Sequence, residues 1–188
     1  KKGNFYTPRV AIKPIPSTSI PKNNSEKHPL LIARTPYSWY PYGEQEYDDG
    51  FWSSYQMQYL REGYIMVRQD VRGRWMSEGE FKDVRPFNAN KKGTEIDEAS
   101  DTYDGIDWLV KNIPNNNGNV GVFGISYPGL YSTMAAASNH PALKAVSPQA
   151  PSSNWFNGDD FNHNGPFVQM DAFDFYTAHG FAFGVPPP

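Results

Sequence analysis

The run Asn119-Val120-Gly121-Val122-Phe123-Gly124-Ile125-Ser126-Tyr127-Pro128-Gly129 constrains the fold most, because an apolar stretch ends in a Gly-x-Ser turn. Val120, Val122 and Ile125 are β-branched and Phe123 is aromatic, a short run that suits a buried strand of a parallel sheet. Leu130 to Ser138, rich in Ala and Met with no interior Gly or Pro, reads as helix. Ser126 therefore stands on a sharp turn, its hydroxyl pushed out at the strand's carboxyl end. The helix that follows directs its amino terminus, with a partial positive charge, toward the same place.

The rest of the chain alternates in kind. Phe5 to Ile12 reads as an early strand, with a Pro/Ser/Asn-rich connection through Lys27, and Leu30-Leu31-Ile32-Ala33 as a short buried strand. Asp48 or Asp49 caps a helix running to about Arg61, with Phe51, Tyr55 and Tyr59 at i+4 spacing and Gly63 past its end. Tyr64 to Val67 reads as strand, and residues 73–94 form a glycine- and charge-rich excursion. Asp97 to Asn112 is an amphipathic helix with Tyr103, Ile106, Leu109, Val110 and Ile113 on one face, and Leu143 to Val146 a further strand. Strands alternating with helices predict a doubly wound, mostly parallel sheet in one α/β unit.

Composition narrows the function classes. A hydrophobic share of 38% and an aromatic share of 15% fit a packed core, and a formal net charge of −3 with no basic stripe argues against nucleic acid. Zero cysteines exclude a disulfide framework, a cysteine nucleophile and a Cys-ligated metal. No His-x-x-x-His or Glu-x-x-His spacing and no phosphate-cradling glycine loop occurs, so neither metal nor cofactor is expected. No apolar run reaches membrane-spanning length. The compartment stays open: a removed leader implies a periplasmic or secreted protein, its absence a cytoplasmic one.

Gly-x-Ser alone also fits an ordinary turn with an incidental serine. Strand before and helix after make it the nucleophile elbow of an α/β-hydrolase, which predicts acyl transfer to water. The usual elbow has Gly two residues after the serine; here that place is Pro128 and Gly129 follows. Pro128 suits a first helical turn, where its missing N–H costs nothing.

Gly105-Ile106-Asp107-Trp108-Leu109 through Gly124-Ile125-Ser126-Tyr127-Pro128-Gly129 resembles the α-amino-acid ester hydrolases. These belong with the cocaine-esterase-type hydrolases, X-Pro dipeptidyl-peptidases and glutaryl acylases, whose nucleophile pattern Gly-x-Ser-Tyr-x-Gly accounts for Pro128 and Gly129. Arg34-Thr35-Pro36-Tyr37, Asp70-Val71-Arg72-Gly73-Arg74 with Ser77-Glu78-Gly79, and Gly158-Asp159-Asp160-Phe161 match in the same order. The resemblance implies that Ser126 is the nucleophile and that the Tyr127 backbone N–H and the Tyr37 hydroxyl hold the oxyanion. Losing one such donor typically costs ~3–4 kcal/mol of transition-state stabilisation. It also implies that Asp160, with Asp159 beside it, binds a substrate's α-ammonium group, while Trp155 bounds the acyl side chain. The substrate would be an ester or amide of an α-amino acid, with transfer to a β-lactam amine as a variant. X-Pro dipeptidyl-peptidase, cocaine-esterase-like or glutaryl-acylase-like hydrolysis is the alternative within the family.

The Asp70-Val71-Arg72-Gly73-Arg74 motif touches substrate or, the favoured expectation, pairs Arg72 with Asp70 to fix a loop. A serine nucleophile also needs a histidine base and an acid to orient it, in chain order Ser, Asp/Glu, His. His140 is expected at the surface; His163 and His179, with Asp171 and Asp174 nearby, carry no matching motif. The resemblance places the triad acid and base beyond this chain. Residues 1–188 are then expected to be the amino-terminal portion of one catalytic domain, with about 150–188 leading toward a cap, and without the cap and jelly-roll domains. A sheet incomplete on its C-terminal side leaves an edge that favours self-association into a homo-oligomer. A silent fragment acting in binding or assembly is the alternative from another class.

Overall fold

A computed structural model describes residues 17–21, 25–40, 42, 56–154, 157–158 and 161–178. Among these residues five strands form one sheet in the order β1-β3-β2-β4-β5: β1 Ser17–Ser19, β2 His28–Thr35, β3 Ile65–Asp70, β4 Asn116–Ile125 and β5 Leu143–Gln149. β1 pairs antiparallel with β3, and the remaining neighbours are parallel. Among the described residues four helices accompany them: α1 Gln56–Arg61, α2 Glu98–Asn112, α3 Tyr127–Ser138 and α4 Gln169–Ala178. The expected strand at Phe5 to Ile12, and the expected cap at Asp48 or Asp49, lie outside the described residues. β1 falls inside the stretch expected to be a connection, because Ser17-Thr18-Ser19 has no apolar pattern and owes its place to pairing with Met66, Val67 and Arg68.

Side chains alternate across the sheet. Leu30, Ile32, Ile65, Val67, Val120 and Val122 pack on one face against Ile106 and Leu109 of α2 and Ala135 of α3. Ala33, Met66 and Phe123 face the other way, toward Met57 and Leu60 of α1. Helices on both faces give the expected doubly wound arrangement. Asp97 caps α2 reciprocally: its side chain accepts the Ser100 N–H while the Ser100 hydroxyl accepts the Asp97 N–H.

Three expectations need correction. Tyr103 is 41% exposed, because the buried face of α2 is centred on Ile106 and Leu109 and Tyr103 lies at its rim. Ile125 is 48% exposed although it still pairs with Gln149 of β5, because it is the last residue of β4, at the carboxyl edge of the sheet. Arg72 does not pair with Asp70. Its guanidinium forks onto Asp101 of α2, Nε to Oδ2 at 2.8 Å and Nη2 to Oδ1 at 2.5 Å, with both side chains buried. Asp70 is the last residue of β3 and Arg72 lies past the strand end, where the buried Asp101 carboxylate of α2 receives its guanidinium.

Candidate active site

β4 delivers Ser126 to the carboxyl edge of the sheet with φ 63° and ψ −123°, a strained conformation for a residue with a side chain. The strain is held from both sides. The Ser126 N–H donates to the Gln149 carbonyl of β5 at 3.0 Å, and the Ser126 carbonyl accepts the Leu130 N–H at 3.1 Å. Ser126 is exposed, and its side chain makes no capping bond to α3, which leaves the hydroxyl for chemistry. Two glycines permit this turn. A Cβ on Gly124 would lie 2.3 Å from the Pro128 carbonyl oxygen, and one on Gly129 would lie 2.5 Å from that of Gln149. Gly129, three residues past the serine, lets α3 press against the end of β5. Pro128 occupies the first turn of α3, as expected.

Tyr127 opens α3, at the end where backbone N–H groups point outward along the helix axis. Its side chain is buried and stacks on Tyr131 with ring centroids 5.1 Å apart. The Tyr37 ring meets it edge-on at 6.2 Å, so the two residues expected to hold an oxyanion lie side by side. Phe175 of α4 stands edge-on to Tyr37 at 6.3 Å, and buried Phe161 packs on Phe175 at 5.3 Å. These rings form one aromatic group that joins Tyr127, which follows the serine, to α4.

The loop carrying Tyr37 is pinned at several points. The Thr35 hydroxyl accepts the Tyr37 N–H at 3.0 Å. The Pro36 carbonyl accepts two donors, Arg74 Nε at 3.0 Å and Trp75 Nε1 at 2.9 Å. Farther along, the Tyr42 hydroxyl donates to Asp70 Oδ2 at 2.5 Å and accepts the Trp39 N–H at 3.2 Å. Burial pushes the Asp70 carboxyl up to about 6, although the bond from Tyr42 and the charge of Arg74 pull it down. Burial, then the bond to Asp70, raises the Tyr42 hydroxyl to about 12.

Trp155, Asp159 and Asp160 lie outside the described residues. Among the described residues, no histidine side chain hydrogen-bonds Ser126. His140 is buried rather than at the surface: its Nδ1 accepts the Ala142 N–H at 3.1 Å and its ring meets Tyr103 at 4.5 Å. Burial lowers its pKa despite Asp107 nearby. It follows the carboxyl end of α3, away from the serine. His163 is exposed in the segment after β5, its backbone N–H bonded to the Pro166 carbonyl at 2.9 Å. His179 lies outside the described residues, and Asp171 and Asp174 are exposed on α4. Among the described residues no group of three His, Asp or Glu side chains could hold a metal ion, and no helix is long and apolar enough to cross a membrane.

Sequence reasoning missed Arg74, Trp75 and Tyr42 as parts of this site. Their signal is weak, since each acts through a partner far away in the chain. The matched stretch Asp70-Val71-Arg72-Gly73-Arg74 was the nearest pointer.

The sequence model of the family described as X-Pro dipeptidyl-peptidase (S15 family) matches residues 16–183. The chain is 32% identical to the cocaine esterase of Rhodococcus sp. (strain MB1 Bresler) over 131 residues, 68% of this chain and 20% of that protein. It is similar to a solved α-amino acid ester hydrolase, with a TM-score of 0.75 and 35% identity over 89% of this chain and 28% of that one. An aminopeptidase from the marine sediment archaeon Thaumarchaeota archaeon gives a TM-score of 0.72 and 33% identity over 94% of this chain and 32% of that one. The chain thus spans between a fifth and about a third of the length of these relatives.

Proposed function

The chain belongs to the X-Pro dipeptidyl-peptidase (S15) family of α/β-hydrolases, and from that premise we propose that it carries the nucleophile half of a serine hydrolase acting on esters or amides of α-amino acids. The strained, exposed Ser126 between β4 and α3, with its hydroxyl unused in capping, carries this reading. Ser126 Oγ attacks the acyl carbon and gives its proton to a histidine base. The carbonyl oxygen becomes an oxyanion held by the Tyr127 N–H and the Tyr37 hydroxyl. Collapse expels the alcohol or amine, protonated by the same histidine, and water then releases the acid by the reverse sequence. An amine in place of water, such as a β-lactam amine, yields acyl transfer.

Asp160, supported by Asp159, pairs with the substrate's α-ammonium group, and Trp155 bounds its side chain. The likeness to the α-amino acid ester hydrolase supports this choice of substrate. Among the described residues no histidine side chain hydrogen-bonds Ser126, so this reading assigns the triad base to none of them. A second reading, cocaine-esterase-like or X-Pro dipeptidyl-peptidase hydrolysis, draws on the Rhodococcus relative and the family description.

Hydrolysis of phenylglycine methyl ester by the chain, beside Ser126→Ala and Asp160→Asn, tests the proposal. Turnover lost in Ser126→Ala, with Asp160→Asn losing preference for free-amine acyl groups over simple acetate esters, is the expected result. Serine-dependent turnover indifferent to Asp160 favours the second reading. A folded sample with no turnover leaves a silent chain lacking its base.

A further inference from the structure

We propose that Asp83 is a positioning residue for the oxyanion site, holding Tyr127 and α4 in register through two phenol hydroxyls. The inference rests on the reading of the Tyr127 N–H as an oxyanion donor. Tyr127 donates its hydroxyl to Asp83 Oδ1 at 2.5 Å, and Tyr176 of α4 donates to the other oxygen, Oδ2. The next residue completes a clamp: the Val84 N–H donates to the Tyr127 hydroxyl oxygen at 2.9 Å. Asp83 and Val84 thus grip the tip of a side chain whose backbone amide lies at the other end, next to the nucleophile.

The backbone is strained to make this grip. Val84 has φ 46°, a left-handed conformation that a β-branched residue adopts only when its surroundings impose it. Its side chain packs among Val71, Tyr127, Leu130 and Tyr131, so the strain brings the amide to Tyr127 and the isopropyl group to the same cluster. Burial, with the Asp83 charge beside it, raises the pKa of the Tyr127 hydroxyl and keeps it a neutral donor.

The second oxyanion donor is braced by the same carboxylate. Tyr37 rests edge-on against Tyr127 and against Phe175, the neighbour of Tyr176 on α4. Tying Tyr127 and Tyr176 to Asp83 therefore fixes both surfaces that the Tyr37 ring touches. Asp83 itself is exposed, so its replacement removes the tether without opening a cavity in the core. Its effect belongs to geometry at the oxyanion, where a misplacement of about 1 Å can cost about 100-fold in rate.

The test measures kcat and KM of the full chain on phenylglycine methyl ester for Asp83→Ala, Asp83→Asn, Tyr127→Phe and the Asp83→Ala/Tyr127→Phe pair, with Ser126→Ala as background. Backbone hydrogen exchange is followed on the same proteins. Asp83→Ala is expected to lower kcat about 10-fold or more with KM within about twofold. Asp83→Asn, which keeps an acceptor, recovers part of the loss, and the paired variant is little worse than Tyr127→Phe alone. Exchange rises in residues 126–131 and 169–178 but not along α2. Additive losses, an unchanged kcat, or exchange unaltered in both segments would overturn the role. If the unaltered chain shows no serine-dependent turnover, kinetics cannot read the role of Asp83, and the exchange comparison alone decides whether Asp83 holds Tyr127 and α4.

Discussion

Gly124 and Pro128 stand so close that a Cβ on the glycine would lie 2.3 Å from the proline carbonyl oxygen and 2.4 Å from its carbonyl carbon. The obstacle is backbone in the first turn of α3, so it cannot swing aside as a flexible side chain would. Gly124→Ala is expected to destabilise the fold by about 3 kcal/mol and to abolish any Ser126-dependent turnover, because the elbow must open. Gly105→Ala is the contrast: on α2 its Cβ would meet only the Gln69 side chain at 3.7 Å, and about 0.5–1 kcal/mol of added helix stability is expected. Urea unfolding of both variants checks the pair, and a Gly124→Ala protein as stable as the unaltered chain would refute the account of the elbow.

Arg72 and Asp101 are buried together, at 3% and 1% side-chain exposure, with two hydrogen bonds between them. The pair ties the strand end after β3 to the first turns of α2. Asp101→Ala leaves a buried guanidinium without its carboxylate and is expected to cost about 3–5 kcal/mol. Replacing both with apolar residues of similar size should cost clearly less than that single change. Chemical denaturation of single and double variants decides it; equal losses would mean that the charges contribute little and packing dominates.

The elbow, the parallel sheet and the helix at Asp97 were legible because each is written locally: a β-branched run, a glycine before and after the serine, an acid before a 3.6-residue apolar repeat. The pairing of Tyr37 with Tyr127 came from family motifs rather than from spacing. What the sequence concealed were choices made across the fold. Asp70 lies two residues from Arg72, yet it bonds Tyr42, while Arg72 reaches 29 residues ahead to Asp101. His140, before a proline and after a helix, looked like a surface residue, but the packing of Tyr103 and Asp107 of α2 encloses it. No local pattern reports which partner tertiary structure will supply.

The Pro36 carbonyl, accepting Arg74 Nε and Trp75 Nε1 at once, sits directly before Tyr37. Arg74→Met removes one of these donors and the buried guanidinium, which also lies over the Trp75 and Phe81 rings at 5.4 and 5.2 Å. Looser placement of the Tyr37 hydroxyl is expected to lower kcat about 10-fold on an ester substrate with a smaller change in KM. Arg74→Lys should not restore it, since an ammonium lacks the planar fork. Steady-state kinetics of the two variants measure this, and full activity of Arg74→Met would remove the residue from the account of the oxyanion loop.

Asp70 gives the fold a pH dependence whose sign is fixed by burial. Its carboxyl titrates at about 6 in the folded protein against an ordinary value of 3.8, so the folded state binds a proton over a window in which the unfolded chain does not. Stability from this group therefore rises as pH falls through about 6 and is complete below the ordinary value; above about 6 the buried charge opposes folding. Asp70→Asn keeps an acceptor for the Tyr42 hydroxyl while removing the charge. Its stability relative to the unaltered chain is expected to be greatest at about pH 7 and to shrink toward pH 5. Urea midpoints of the two proteins across that range measure the difference. A difference independent of pH would mean that Asp70 is ionised throughout and that Tyr42 and Arg74 offset its burial in full.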